Sequence, residues 1–457
     1  MTGVRVAGRG IGLVGGTAIV VGSMLGVGIF LTPRLVATAT TSPTLFLVLW
    51  ALGGLIALAG AVTYAELGTM MPDAGGDYVY LRRAFGSSTS FAAGVLLFLG
   101  VFAGSIASMS AATCRYQLAL LASGLGVDLE ATWFELPSLG WSLDGVDVAA
   151  ISLICLLTAV NALGVRLSTM AQSLLTVIPL AVLMGLAIFA LGTVPHATVR
   201  APVATEGGPA ALGGALLNIY FAYAGWNAVA YVGGEMANPG RNIPRALILG
   251  TIAVTLLYVL LCASWIAVLG MGGIAEAFEV GTAATAALVG PRAEVLMAGV
   301  IALALLGSIN ATVLAGARIG YAMGRDGALP AGMARLSEGG GVPLRALLAQ
   351  AIFSIGLVLS GTFEELVLLT SVAMFLLGSL TVTALFVLRR REPEAERPYR
   401  ATLYPVLPSI YLVTAIAVIG LEVRSVVVDP ETSPLPLLGL AVFVAVWSLH
   451  RLVRRNG

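Results

Sequence analysis

Apolar runs long enough to cross a bilayer recur along this chain from one end to the other. A helical span needs about 20 apolar residues. Twelve such runs cover residues 12–36, 43–70, 89–121, 148–164, 168–192, 210–234, 244–270, 295–322, 344–360, 366–389, 404–423 and 433–453. Almost no chain is left for a soluble domain. Only 10% of the residues are charged, against roughly 25% in soluble domains. Barrel strands would show as alternating segments of about ten residues. These runs are longer and continuous, so the expected fold is an all-α integral membrane protein with 12 transmembrane helices.

The basic residues orient it. All 24 are arginine, and the chain contains no lysine. With a cytoplasmic N-terminus, 18 of them fall in inner loops and tails, among them Arg82, Arg83, Arg241, Arg245, Arg389 to Arg391 and Arg451 to Arg455. Only Arg34, Arg200, Arg292 and Arg424 fall outside, with Arg115 and Arg318 near helix ends. Short cytoplasmic loops concentrate basic residues. A multi-pass protein of the cytoplasmic (inner) membrane with both termini cytoplasmic is therefore expected. Arg5, Arg9 and a small-residue "ATA" at Ala37–Ala39 mimic a signal peptide, but the apolar stretch is too long for one and reads as helix 1.

Chemistry is sparse. Cys114, Cys155 and Cys262 fall in or near spans and form no disulfide framework. The histidines are His196 and His450 alone. No Cys, His and acid constellation has metal or nucleophile spacing, so no catalytic residue, metal, cofactor or nucleic-acid partner is expected, and the chain does not read as an enzyme.

Helix 1 carries Gly22, Gly26 and Gly28 in "VGSMLGVGIF". Each glycine costs a helix about 1 kcal/mol relative to alanine. Gly22 and Gly26 form a GxxxG pair of the kind that packs helices closely, but Gly28 lies off that face and favours a break. "GSIASMSAATCR", Gly104–Arg115 on helix 3, is echoed by "GSINATVLAGAR", Gly307–Arg318 on helix 8. The two helices run in opposite directions, as inverted repeats require. The division is then 1–200 for helices 1 to 5, 201–391 for helices 6 to 10, and 392–457 for helices 11 and 12 with the tail. Helix 1 corresponds to helix 6, where "FAYAGWNA", Phe221–Ala228, is again interrupted by Gly225.

A helix broken in the membrane exposes N–H groups at one end and carbonyls at the other, and these must face a cavity or ligand. An anionic carboxylate suits the N–H end and an ammonium suits the carbonyls. Together they describe an α-amino acid. No acid is placed at mid-membrane: Glu66 and Glu235 sit at the cytoplasmic ends of helices 2 and 6, where they pair with inner arginines or relay protons. With no fixed charge at the pocket, a neutral side chain is favoured.

Six motifs in order carry a resemblance across nearly the whole chain: "GSMLGVGIFLTP" from Gly22, "YAELGTMMPDAGGDYVYLRRAFG" from Tyr64, "FAYAGWN" from Phe221, "GEMANPGRNIPRA" from Gly234, "ARIGYAMGRDGALP" from Ala317 and "LRRREPEAERPYRATLYPVLP" from Leu388. The chain resembles the amino acid, polyamine and organocation (APC) superfamily, most closely its L-type and bacterial amino acid permease branch. The resemblance implies a LeuT-type fold of five plus five inverted helices and two more, with helices 1 and 6 broken at mid-membrane. It implies that the amides of Gly26, Val27 and Gly28 hold a substrate carboxylate and the carbonyls of Met24, Phe221 and Ala224 its amino group. It further implies that Phe221 is an outer gate, that Trp226 borders the pocket, and that Ile106 and Asn310 line the side-chain subsite.

Two departures matter. Val27 stands where many relatives have serine and offers no hydroxyl. The helix 5 lysine of proton-coupled and many exchanging relatives is missing, with Pro179 aligned to its place, so coupling by a helix 5 lysine is disfavoured. Ser308 and Thr312 match hydroxyl positions facing that site in relatives and are candidates for a coupling site, with Na+ and H+ both open. The outer loop Ala122–Asp147 contains no cysteine, so no disulfide-linked ancillary subunit is expected. The expected function is secondary transport of neutral L-amino acids by alternating access. The alternatives are a non-transporting amino acid sensor of the same fold and a carrier for cationic amino acids or amines.

Overall fold

Ser42 and Pro43 show how the long helices are started. The Ser42 hydroxyl accepts from the N–H of Leu45 at 3.2 Å, and Pro43 fills the first turn, where its missing N–H costs nothing. From there α3 runs Pro43–Met70, after α1 (Leu13–Met24) and α2 (Val27–Ala39). The computed structural model describes residues 10–136, 138, 141–194, 209–338, 341–360, 363–428 and 434–456. Arg5, Arg9, His196, Arg200 and the repeat boundary at 200/201 lie outside the described residues.

The succeeding helices are α4 (Asp77–Phe85), α5 (Ser87–Ser123), α6 (Gly145–Ala162), α7 (Val165–Thr193), α8 (Pro209–Ala222), α9 (Ala228–Tyr231) and α10 (Pro239–Glu276). They are followed by α11 (Val280–Val289), α12 (Arg292–Arg325), α13 (Leu344–Val358), α14 (Phe363–Arg391), α15 (Val406–Val428) and α16 (Leu435–Asn456). Within α5, residues Leu96–Phe102 and Thr113–Leu118 are wound as π-turns. The core forms where α10 lies along α3 and α1, and α12 along α7 and α1.

Among the described residues, nine helices are long and apolar enough to cross a membrane, or ten when α1 and α2, bent by 42° at their break, count as one. Two of the twelve expected spans fall short. The expected 210–234 span divides: α8 has 14 residues and stops at Ala222. In place of 344–360, α13 has 15 residues, about 22 Å at 1.5 Å per residue against a bilayer core of about 30 Å. The expectation of an entirely helical chain also needs correction. In the loop between α5 and α6, strands β1 (Thr132–Leu136) and β2 (Trp141–Asp144) pair antiparallel, built on aromatic and β-branched residues that suit strands. Asp144 then ends the hairpin by capping α6 in a reciprocal box with Asp147.

Charges gather at one end of the bundle. Glu66, fully buried in the last turns of α3, accepts from Arg389 at 2.5 and 3.0 Å, from Arg397 at 3.1 Å, and from the N–H of Ala401 at 2.6 Å. Glu235 accepts from Arg318 at 2.8 and 3.2 Å. Beside it, Ile11 donates to the Glu235 carbonyl at 3.1 Å and accepts from Ala237 at 2.9 Å, which ties the start of α1 to the segment after α9. Glu66→Ala leaves the buried Arg397 without its partner. Losing one side of a buried pair costs about 3–5 kcal/mol, so thermal unfolding of the purified variant in detergent should show a clearly lower midpoint than wild type.

Candidate substrate site

The site is built where two helices stop. After Met24 the chain leaves α1, and the Gly26 N–H turns back to the Met24 carbonyl at 2.7 Å before α2 begins at Val27. Opposite it, α8 ends at Ala222 and α9 begins at Ala228, with Gly225 between them at φ +97°. A side chain is excluded there on two grounds. Positive φ strains other residues, and a Cβ on Gly225 would stand 2.5 Å from Ser23 Oγ and 2.7 Å from the Ser23 carbonyl oxygen. The two breaks therefore rest on each other, and a Cβ on Gly28 would likewise run into the Ala222 backbone. Tyr258, reaching in from α10, places its hydroxyl 2.5 Å from the Met24 carbonyl oxygen and 3.2 Å from that of Ala222.

A cavity of about 130 Å³ opens between the breaks, several times the roughly 10–15 Å³ that one water needs. Met24, Gly26, Val27, Gly28, Phe221, Ala224, Trp226, Ser308 and Thr312 all lie on its wall. Val27 and Gly28 open α2, and no backbone bond outside the helices uses their N–H groups among the described residues. Gly26 differs from its expected role, because its N–H is already bonded to Met24. The carbonyls are also partly engaged: Met24 accepts from Gly26 and Tyr258, and Phe221 from the Ala224 N–H at 3.0 Å. Trp226 is buried and meets Tyr64 edge-on at 4.8 Å and Tyr411 at 5.8 Å. Ser308 donates to the Ser23 carbonyl at 3.1 Å, while Thr312 donates back to the Ser308 carbonyl at 2.7 Å.

Three expected positions lie elsewhere. Ile106 is not on the cavity wall; it packs in a separate apolar cluster with Ile309 and Val313. Asn310 is fully buried between helices, donating to Gln172 at 2.8 Å and accepting from Asn161 at 2.8 Å. Pro179 is buried within α7, and the α7 side chains that reach α1 are Thr176 and Gln172, at 3.2 and 3.5 Å from the Ala18 carbonyl. The acids need correction too. Asp77, at the start of α4, lies on the cavity wall and is 1% exposed, so the pocket is not free of ionisable groups. Its oxygens accept from the hydroxyls of Tyr64 and Tyr231.

A family model described as amino acid permease matches residues 11–445. The chain belongs to that family. The permease is 30% identical over 411 residues to the human large neutral amino acids transporter small subunit 2, covering 88% of this chain and 73% of that one. It is 29% identical over 414 residues to the b(0,+)-type amino acid transporter 1 of Mus musculus, covering 89% of this chain and 82% of that one. It is 27% identical over 438 residues to the serine/threonine exchanger SteT of Bacillus subtilis (strain 168), covering 94% of each. These relatives are transporters by name, and the permease is a multi-pass membrane protein.

Sequence reasoning missed Tyr258, which has no local signal in an apolar helix, and Asp77. The latter had one. Gly75 and Gly76 both take positive φ, and a Cβ on Gly76 would stand 2.5 Å from the Tyr231 ring. The pair folds the chain back under α9 and carries Asp77 with it.

The two glycines at the first break make different demands. Gly28→Ala forces its Cβ into the Ala222 backbone, and overpacking of this kind costs about 1–3 kcal/mol or more. Gly26 has φ −101°, and a Cβ added there would meet only Ser308 Oγ at 3.5 Å and the Met24 carbonyl oxygen at 4.0 Å. Alanine at position 26 should leave stability within about 1 kcal/mol of wild type. Thermal unfolding of both purified variants, side by side, checks the contrast.

Proposed function

We propose that this permease is a secondary transporter of neutral amino acids. It works by alternating access in the cytoplasmic membrane, with both termini cytoplasmic. The observation that carries the reading is the pair of abutting helix breaks, which leaves the N–H groups of Val27 and Gly28 free at a cavity wall. A helix N-terminus favours an anion through its N–H groups and its dipole, so a substrate carboxylate binds there. The Ala224 carbonyl lies on the facing wall, beside those of Met24 and Phe221, and takes the ammonium. The relatives' names support the class of cargo: neutral amino acids in one, serine and threonine in another. The α1/α2 and α8/α9 pairs are each a span broken at mid-membrane, in a twelve-span, LeuT-type arrangement of inverted repeats at 1–200 and 201–391 followed by 392–457.

Phe221 closes the cavity over bound substrate, and the arginine-rich end opens afterwards. Binding moves the equilibrium only as far as it favours the closed form over the open one. Around the substrate side chain the wall offers Ser105, Ser108, Met109, Val101 and Phe102, which suits small and medium neutral side chains. A cationic substrate is the second reading, favoured by the presence of Asp77 on the same wall. Ser308 and Thr312, with the Ser23 carbonyl, are the groups that would meet a sodium ion.

The test is uptake of labelled amino acids into vesicles made with purified protein, with and without internal substrate. Saturable uptake of neutral amino acids is expected, competed weakly by lysine and arginine. Phe221→Ala should raise the half-saturating concentration by about tenfold, the loss of roughly 1.4 kcal/mol of closure. Binding of an amino acid without any uptake would replace transport by sensing, and uptake restricted to basic amino acids would select the second reading.

A further inference from the structure

Among the described residues, Asp77 is the one ionisable carboxyl on the cavity wall, and transport of a neutral amino acid as set out above gives it no task. We propose that Asp77 is the proton-binding group of this carrier, taking a proton from the substrate cavity and releasing it at the arginine-rich end as that end opens. The inference rests on the transport reading and adds the coupling ion and its site.

The placement of Asp77 makes it a joint. One oxygen accepts from Tyr64 of α3 and the other from Tyr231 of α9, the inner piece of the second broken helix. Tyr231 also accepts from Asn227, a cavity-wall residue, at 3.3 Å, so its hydroxyl oxygen communicates with the cavity. Its ring packs edge-on against Phe102 at 5.0 Å, and the Tyr64 ring packs on Trp226 at 4.8 Å. Whatever sits against Phe102 and Trp226 therefore presses on the same two tyrosines that hold the carboxyl.

The charges around it leave Asp77 uncompensated. Arg82 pairs with Asp326, Arg83 with Glu392, Arg318 with Glu235, and Arg389 and Arg397 with Glu66. The groups that face Asp77 are all neutral: Tyr64 from α3, Tyr80 from its own helix, Tyr231 from α9, Tyr220 from α8, Tyr411 from α15, and the Thr381 hydroxyl from α14. A buried carboxylate without a cation either takes a proton or draws in a cation. Burial raises the Asp77 carboxyl from the ordinary carboxylate range, while the hydroxyl bonds pull the other way. Sodium would need several free oxygens, and a substrate ammonium would have to reach atoms that the tyrosines already cover. A proton needs only one lone pair.

Protonation changes what the joint can hold. Ionised, Asp77 accepts two charge-assisted bonds, each roughly twice as strong as a neutral one. Protonated, it carries a hydrogen of its own, which goes to the unpartnered Thr381 hydroxyl or to a tyrosine turned from donor to acceptor, and its bonds become neutral. Parting α9 from α3 then costs less. A proton and a substrate arriving together from the cavity prime the arginine-rich end to open, and water there accepts the proton when it does.

The experiment uses the full-length protein in vesicles and reads protonation and transport separately. Infrared difference spectra between acidic and alkaline buffer should show a buried carboxylic acid band that Asp77→Asn removes and Asp77→Glu shifts. Glu279→Gln is the control. Glu279 is the other buried acid outside the spans, pushed up to about 7 by burial and holding the N–H groups of Gly281 and Thr282 at the start of α11, and its replacement should leave the Asp77 band in place. In vesicles loaded with a pH-sensitive dye, labelled amino acid entry should acidify the lumen in wild type and Asp77→Glu, and not in Asp77→Asn. A band or an acidification that survives Asp77→Asn overturns the proposal, as does wild-type uptake without acidification. Should wild-type vesicles take up no amino acid, the transport reading fails while the infrared titration still decides whether Asp77 binds a proton. Should Asp77→Asn fail to fold, the shift of the band in Asp77→Glu carries the decision.

Discussion

Peptide groups that have left a helix cannot stay unpaired away from water, and the centre of this permease is organised by that demand. An unpaired buried peptide group costs free energy comparable to a lost hydrogen bond. At the two breaks several freed groups are paired locally: Gly26 N–H with Met24, Ala224 N–H with Phe221, and the Met24 and Ala222 carbonyls with the one hydroxyl hydrogen of Tyr258, which they share. The N–H groups of Val27 and Gly28 are among those with no backbone partner outside the helices among the described residues, and both residues line the cavity. On the proposed function, a zwitterionic substrate would complete bonds that the protein leaves open at this place. Tyr258 matters for the same reason. One hydroxyl spans the carbonyl ends of α1 and α8, so α10 ties the two breaks together.

Movement has to be organised around the charged end. The bonds among Ile11, Glu235 and Ala237 join the start of α1 to the segment following α9, so the two are tied into one body. The Glu235–Arg318 pair fastens that body to α12, and Glu66 fastens α3 to Arg389, Arg397 and Ala401. Glu66 is fully buried and held by three donor residues, while Glu235 keeps one arginine and is 14% exposed.

The glycine-marked breaks and the charged ends were legible because both are written in local composition. Which way each helix is rotated was not, yet part of it could have been worked out. Residues one helical turn apart share a face, and residues two apart point nearly opposite ways. With Ser308 and Thr312 directed at the cavity, Asn310 had to point away, where it bonds Asn161 and Gln172. Ser105, Ser108 and Met109 form such a face on α5, and Ile106 is off it. Asp77 was hidden for a different reason. Distance along the chain from the centre of a span is no measure of distance from the cavity once the turn at Gly75 and Gly76 brings the chain back. The hairpin between α5 and α6 and the short α13 depend on tertiary packing that periodicity does not record.

The absence of lysine gives the charge distribution its meaning. Arginine stays protonated in proteins at any ordinary pH, so every arginine in this permease is a permanent cation that can serve as an anchor but not as a switch. Lysine, whose pKa moves readily on burial, would have offered a switchable cation beside α1, and at that place the chain puts Thr176 and Gln172, which never titrate. A buried carboxyl that no arginine holds is then the kind of group left to change its protonation, and among the described residues Asp77 and Glu279 are such groups. Glu66 and Glu235 are held. Asp77 is not, and it stands where the cavity wall meets the inner piece of a broken helix. With its cations fixed, the proposed responsiveness of this permease rests on an acid, and Asp77 stands on the cavity wall.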